Sequence, residues 1–530
     1  MIYVIGSGPS GVSAAVALLA RGERVTMLDA GIELEPERRQ LVERLSTQEP
    51  AGWAPDDLSR IRENMSSGKS GIPLKYIYGS DFPYRETDRY LPRDAPDVGL
   101  VPSLGRGGFS TVWGAAVLPY LESEIASWPV RYEQLAPHYE AVLSFVGLSA
   151  TKDDLAERFP LFSTDCHQAP TSRQAEALLR DLNAHRDELR ARGFLFGYSR
   201  LAVRPRNESG RSCAACGLCM YGCPYGLIYS TPTTLATLLR NPLFSYRGGV
   251  VVERFAETGD GVRISAREMS TQAPLTFTGS RVFVAAGVLS STRLVLESLA
   301  AFDRPVTLLD SQYFLLPLLR YRGVPEPSRE SLHTLSQVFL ELFDSAISEH
   351  SVHLQVYTYN DLYHQAVRAV LGPAFPVFRP ALDAFLGRFL VIQGYLHSDL
   401  SSRISVRLRR SGNGGRGALA LAVEENPETR PTLRAVSAKL RRSRSLMKAV
   451  PLGPMLRPGT AGRGFHSGGT LPMRQEPGEL QTDVWGRPHG LRRVHVVDSS
   501  VFPSITASTI TLTVMANAHR IASGYHEAER

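Results

Sequence analysis

This sequence predicts an α/β fold, α+β overall, with Rossmann-like nucleotide-binding pieces at both ends of the chain. Three observations carry that expectation. The chain opens strand–turn–helix–strand around the triplet Gly6-x-Gly8-x-x-Gly11. Its last stretch, about 461–530, returns to glycine turns, a short strand and a closing helix. Between the ends the pattern changes, with four cysteines inside Cys213–Cys223 and then aromatic and apolar stretches from about 305 to 460.

The opening unit is the most legible. Ile2–Ile5 is a short apolar run, Gly6–Gly11 the turn, Val12–Ala20 has helical apolar spacing, and Val25–Leu28 reads as a second strand ending at Asp29. In such a turn the first glycine permits the tight bend, the second lets the backbone approach a pyrophosphate, and the third lets helix and strand pack closely. The helix N-terminus offers free N–H groups to phosphates. Asp29, 18 residues after Gly11, is placed to accept from ribose hydroxyls. These residues point to a dinucleotide and leave FAD and NAD both open.

Residues 32–100 are polar and rich in Pro, Arg and Asp, which predicts an excursion over the surface. A second glycine cluster spans Gly105–Gly114, Arg281–Ala286 reads as a buried strand feeding a helix from about Ser290, and Val494–Val497 as a strand before a helix over about Thr511–Ser523. The expected division is 1–304 as the first part of the cofactor domain, with a cysteine loop at 211–226. Residues 305–460 form a substrate domain, and 461–530 return to the cofactor domain.

At 530 residues the chain needs more than one core. A net charge of +7 is modest, so a solvated, slightly basic surface is expected and no nucleic-acid partner. No run of 18 uncharged apolar residues appears, which predicts no membrane span. The strand that starts at Ile2 leaves no room for a signal peptide, so a cytoplasmic protein is expected, with export beside a signal-bearing partner left open.

Four of the five cysteines follow the spacing Cys213-x2-Cys216-x2-Cys219-x3-Cys223-Pro224. Disulfide frameworks spread their cysteines to tie distant segments, whereas thiolates this close can wrap one iron–sulfur cluster. A zinc site usually pairs two knuckles across a longer loop. In two-cluster ferredoxins the Cys before Pro serves the other cluster. Here the four would hold one [4Fe–4S], or three of them a [3Fe–4S]. Cys166 reads as a buried free thiol, with a role as a distant ligand the alternative.

Taken together the pieces resemble the glucose–methanol–choline (GMC) oxidoreductase family. The stretches that carry the resemblance are Gly6–Gly11 with Asp29-Ala30-Gly31; Gly105-Arg106-Gly107-Gly108-Phe109-Ser110 through Trp113-Gly114; Val284-Ala285-Ala286-Gly287 through Ser291; His466-Ser467-Gly468-Gly469-Thr470; and Val497-Asp498-Ser499-Ser500 through Pro503. It thins out between about 305 and 400. The resemblance implies FAD, a domain assembled from both chain ends, and a sheet-containing substrate domain over the flavin. It implies cofactor contacts from Gly105, Gly107, Gly108, Ser110, Ala286, Asp498 and Ser499. The cysteines are similar to those of the membrane-coupled sugar dehydrogenase branch, whose large subunit carries an iron–sulfur cluster. One extra cysteine leaves both Cys213 and Cys216 as candidates for the first ligand.

In this family a base takes the hydroxyl proton of an alcohol while hydride passes to flavin N5. His466 matches that base, and histidine suits the task because its ordinary pKa lies near working pH. The second catalytic position, a His or Asn in the family, falls on Thr509, whose hydroxyl can hydrogen-bond but cannot act as a base near neutrality. The leading expectation is a dehydrogenase of a sugar or other alcohol, with electrons leaving through the cluster to an acceptor such as a cytochrome or ferredoxin. The alternatives are an oxygen-using FAD oxidase with a structural metal site and a catalytically inactive electron-transfer or interaction subunit. Basic residues over Arg403–Arg444 would suit an anionic substrate, though such a run is usually a solvated face. Phe314–Leu319 and Phe375–Phe389 read as core, or as a peripheral membrane contact if exposed.

Overall fold

The computed structural model describes residues 1–63, 74–363, 375–410 and 417–527, with side chains of 375–380 left aside. A five-stranded parallel sheet joins the two ends of the chain, in the order Val494–Val496, Arg281–Val284, Ile2–Ile5, Val25–Leu28, Phe244–Arg247. Its three inner strands, Arg281–Val284, Ile2–Ile5 and Val25–Leu28, are mostly apolar and buried because helices cover the sheet. The helix Pro9–Ala20 starts on a proline, whose missing N–H costs nothing at that position. It buries Ala14, Ala15 and Ala17, so the closing helix Thr511–Gly524 can approach closely. Ser13 Oγ donates to the Met515 carbonyl at 2.7 Å, an interior bond between the first and last helices.

A seven-stranded antiparallel sheet stands apart from the first. Its order is Ala449–Pro451, Tyr313–Arg320, Phe389–Tyr395, Val352–Tyr357, Val338–Leu342, Phe194–Tyr198, with Arg457–Pro458 also pairing on Tyr313–Arg320. One face carries Leu316, Leu318, Leu340, Leu354, Val356, Leu390 and Ile392. These pack under Leu178, Leu179 and Leu182 of the helix Arg173–Asn183 and under Leu433, Val436 and Leu440 of the helix Thr429–Arg442. Phe314, Leu316 and Leu318 are therefore core. The edge strand Phe194–Tyr198 comes from the part of the chain before residue 305.

One feature differs from the sequence expectations, and another agrees with them. The described residues 32–63 and 74–100 are no surface excursion. The helices Pro36–Ser46 and Pro55–Ile61 set Leu41, Leu45 and Ile61 into the main core beside Trp53, Leu91 and Leu100. A few anchors at helical spacing suffice to bury one stripe of an otherwise polar helix. The basic strand Arg403–Arg409 alternates, with Ile404, Val406 and Leu408 buried and Arg403, Arg407 and Arg409 exposed, which is a solvated face. Residues 411–416 of that basic region lie outside the described residues, as do the side chains of 375–380 in the apolar run Phe375–Phe389. No helix among the described residues is long and apolar enough to cross a membrane.

Candidate functional site

A cleft of about 1450 Å³ opens at the C-terminal ends of the parallel strands, where α/β folds bind ligands. Gly6, Gly8, Asp29, Gly105, Gly108, Ala286, Asp498 and Ser499 line it. The remaining three expected cofactor residues lie one layer behind. A Cβ at Gly11 would meet the Gly6 carbonyl oxygen at 2.0 Å, and one at Gly107 the Pro232 ring at 2.5 Å. Ser110 donates to the Gly107 carbonyl at 2.6 Å and accepts from Thr231 N at 3.0 Å. At Gly8 a Cβ would meet no atom within 4 Å, so that glycine keeps open space in the cleft, not room for its own fold.

Two acids frame the cleft. Asp29 accepts from the hydroxyls of Ser7 and, at 3.0 Å, Tyr246. Ser7 Oγ in turn accepts from Gly107 N at 2.9 Å, so a side chain the sequence reading passed over ties the two glycine segments together. Asp498 accepts from Gly287 N at 2.9 Å, Ser291 Oγ at 2.5 Å, Ser500 N at 3.0 Å and Ser500 Oγ at 2.6 Å. Burial pushes both carboxyls above the usual range, against these hydrogen bonds. Four donors hold Asp498 in place, so it shapes the backbone around the cleft. The open wall at Gly8, the helix N-terminus at Pro9 and the buried acid at Asp29 together fit a dinucleotide.

His466 does not itself line the cleft; its chain neighbours Phe465 and Ser467 do. Burial, helped by His353 nearby, lowers its pKa to about 3, so the ring is a neutral imidazole at ordinary pH. Its Nδ1 is buried with no hydrogen-bond partner. The ring stacks on Tyr395 at 4.5 Å and 18°. Thr509, the other expected catalytic residue, is buried, and its Oγ1 accepts from Leu118 N at 2.7 Å.

The second face of the seven-stranded sheet turns toward His466. Cross-strand register aligns Glu341 with His353 and His353 with Tyr395, and Gln355 with Gln393. Tyr357 holds its hydroxyl 3.5 Å from where a Cβ at Gly114 would stand, on the glycine segment below. The family resemblance implied a sheet here, but sequence reasoning missed the polar side chains on it. The signal was the alternation in Val352–Tyr357, where His353, Gln355 and Tyr357 share one face and Val352, Leu354 and Val356 the other.

The four clustered cysteines are all free thiols, three of them half-buried and Cys219 buried. Burial pushes Cys216 up to about 12 and Cys223 to about 11, with neighbouring thiols adding to both. As free groups Cys216 and Cys223 are protonated, and a bound metal centre would be needed to hold them as thiolates. Among the described residues no three of the four cysteines bring their sulfurs within 4.8 Å of one another. That spacing does not suit four ligands on one zinc ion, whereas in a cubane each thiolate holds a different iron. Cys219 and Cys223 lie beside Lys75, whose Nζ donates to the Trp113 carbonyl at 3.1 Å, and Tyr78 donates to the Cys223 carbonyl at 2.8 Å. The loop thus packs on the segment that ends the second glycine cluster. His350, His397 and Asp399 do converge, but the two rings lie face to face at 3.5 Å and 11°. Parallel rings cannot aim both lone pairs at one ion, so this reads as a hydrogen-bonded stack.

Comparisons with known proteins agree with this geometry. Residues 402–518 match the GMC oxidoreductase family model. The whole chain is similar to 6'''-hydroxyparomomycin C oxidase of Streptomyces lividus, 23% identical over 98% of this chain and 90% of that protein. It also shares its fold with pyridoxine 4-oxidase from Mesorbium loti, at a TM-score of 0.60 and 16% identity over 99% of each chain. The protein thus carries a GMC oxidoreductase C-terminal domain and is an FAD-dependent oxidoreductase of that fold.

Proposed function

We propose that the protein oxidises a hydroxyl group of an alcohol or sugar-like molecule, with His466 as the base. The observation that carries this reading is a neutral imidazole whose chain neighbours Phe465 and Ser467 line the cleft, with an unpartnered Nδ1 and its ring stacked on the polar sheet face at Tyr395. FAD in the cleft would supply a two-electron acceptor for the carbon's hydride. The chain's own residues bind and orient. Gly6 and Gly8 let the backbone meet the pyrophosphate, Asp29 takes the ribose, and Asp498 fixes the Gly287 and Ser500 amides. Removing the substrate's hydroxyl proton puts a positive charge on His466, so substrate binding must offset the burial that now disfavours it. Thr509 contributes no base; its hydroxyl holds Leu118, and the reaction rests on one imidazole.

For the electrons' departure we favour Cys213, Cys216, Cys219 and Cys223 as ligands of an iron–sulfur cluster, which would pass them singly to an acceptor protein. The packing of this loop against Lys75 and Trp113, beside the cleft wall, supports that reading. The second reading is an oxidase that hands both electrons to oxygen, supported by the names of the two relatives. Anaerobic mixing with candidate alcohols should bleach the flavin absorbance, and an alcohol panel that never does so overturns the proposal. Rapid reoxidation by air with no iron or sulfide in the protein would establish the oxidase in place of the dehydrogenase.

A further inference from the structure

A directed chain of hydrogen bonds crosses the roof of the site. His353 Nδ1 lies 2.5 Å from Glu341 Oε1, and both side chains are fully buried. With Nδ1 donating to the carboxylate, Nε2 carries a lone pair, and it accepts from Gln355 Nε2 at 3.1 Å. Gln355 Oε1 accepts from the Tyr357 hydroxyl at 3.2 Å. Beside this chain Gln393 donates to Tyr395 at 2.8 Å, and Tyr395 is the ring on which His466 stacks. The two rings flanking Tyr395 are thus the proposed base and the buried His353, the latter at 6.1 Å and 25°.

A buried glutamate is costly to keep on a sheet face unless its partners require it. Here it selects the tautomer of His353, and that tautomer selects which way the Gln355 amide points. If Nε2 bore the proton, the amide would have to turn over and the Tyr357 hydroxyl with it. In the arrangement present, Gln355 has one N–H and one oxygen lone pair to spare, and Tyr357 has acceptor capacity to spare. Of its polar side chains Gln393 and Tyr357 are partly accessible and Gln355 is buried. No lysine or arginine stands on it among the strand positions that face His466, so it suits hydroxyl groups better than an anion.

We propose that Gln355 and Tyr357 read the hydroxyl groups next to the one being oxidised, and that the Glu341–His353 pair is the positioning device that fixes their polarity. The inference rests on the alcohol-oxidising reading above. It assigns substrate selection to the roof strand Val352–Tyr357, which the basic surface strand Arg403–Arg409 does not share.

The test compares two alcohols on the FAD-loaded protein. Methyl β-D-glucopyranoside and cyclohexylmethanol both carry a hydroxymethyl group on a six-membered ring, and only the first bears ring hydroxyls. The wild-type protein should favour the glucoside in kcat/KM for flavin reduction. Gln355→Met, which keeps length and removes the amide, should lower that preference about two- to tenfold, mainly through KM, because a lost hydrogen bond to a neutral group is worth about that much. Tyr357→Phe should move it the same way. Glu341→Gln, which leaves the shape and removes the charge, should give a smaller drop in the same direction. Equal kcat/KM for the two alcohols in the wild type, or an unchanged preference in Gln355→Met and Tyr357→Phe, overturns the roof assignment and leaves alcohol oxidation standing. Failure of both alcohols to bleach the flavin overturns the oxidation reading and this inference with it. Should Gln355→Met not retain FAD, Tyr357→Phe, which removes a single oxygen, decides.

Discussion

His466 combines two properties that pull against each other. Its site keeps it neutral down to about pH 3, so it is ready to accept a proton, yet the same burial makes the protonated ring expensive. Activity needs the neutral form, so the acid limb of kcat/KM for flavin reduction should fall well below pH 5, not at the ordinary histidine value near 6.5. His466→Ala should slow that reduction by about 10²–10⁴-fold while FAD stays bound, as loss of a positioned base does. Reduction at the wild-type rate would remove His466 from the mechanism. The glycines separate fold from function at the same scale. Gly8→Ala adds a Cβ that meets no protein atom within 4 Å and should leave the melting temperature of the FAD-free protein little changed while lowering FAD occupancy. Gly11→Ala drives a methyl onto the Gly6 carbonyl and should destabilise the fold itself, by about 1–3 kcal/mol or more in denaturant titration. The reverse pattern would mean that the cleft is not the dinucleotide site.

Among the elements, legibility followed locality. The opening strand, turn and helix could be read from residues 2–28 because each piece is fixed by neighbours in sequence: apolar run, glycine spacing, and Pro9 at a helix start. Asp29 was legible for the same reason, as it ends a recognisable strand, whereas Asp498 was reached only through the family resemblance. The roof was not legible, since Glu341, His353, Gln355 and Tyr395 come from three strands and mean nothing until register sets them side by side. Ser7 likewise shows its role only once Gly107 arrives from 100 residues away. Thr509 was found by position, but its partner Leu118 lies 391 residues off. The cysteine loop can be tested as a unit. After anaerobic purification the wild-type protein should contain iron and acid-labile sulfide, and Cys219→Ser should lose most of both while keeping FAD. Zinc without sulfide, or no metal at all, would end the cluster reading and leave electron exit to oxygen.

For the molecule as a whole, the parallel sheet makes folding and cofactor binding depend on each other. Ile2–Ile5 lies at the middle of that sheet, Val494–Val496 at its edge, and Ser13 of the first helix bonds the last helix at Met515. The cleft draws on every one of these segments, from Gly6 and Gly8 at the start, through Gly105 and Ala286, to Asp498 and Thr511 near the end. A ligand that touches all of them binds only the assembled sheet and has little to hold in the unfolded chain. Its stabilisation is then RT ln(1 + [L]/Kd), about 2.7 kcal/mol at a hundredfold excess over Kd. Removing FAD should therefore lower the melting temperature of the protein by several degrees, and re-addition should restore it in a concentration-dependent way. The loss should appear as protease sensitivity at both chain ends together, because the first and last helices share one contact surface. If FAD removal loosened only residues 494–527 and left the Ile2–Ala20 unit protected, the two ends would be independent, and the sheet would not be the element that couples cofactor to fold.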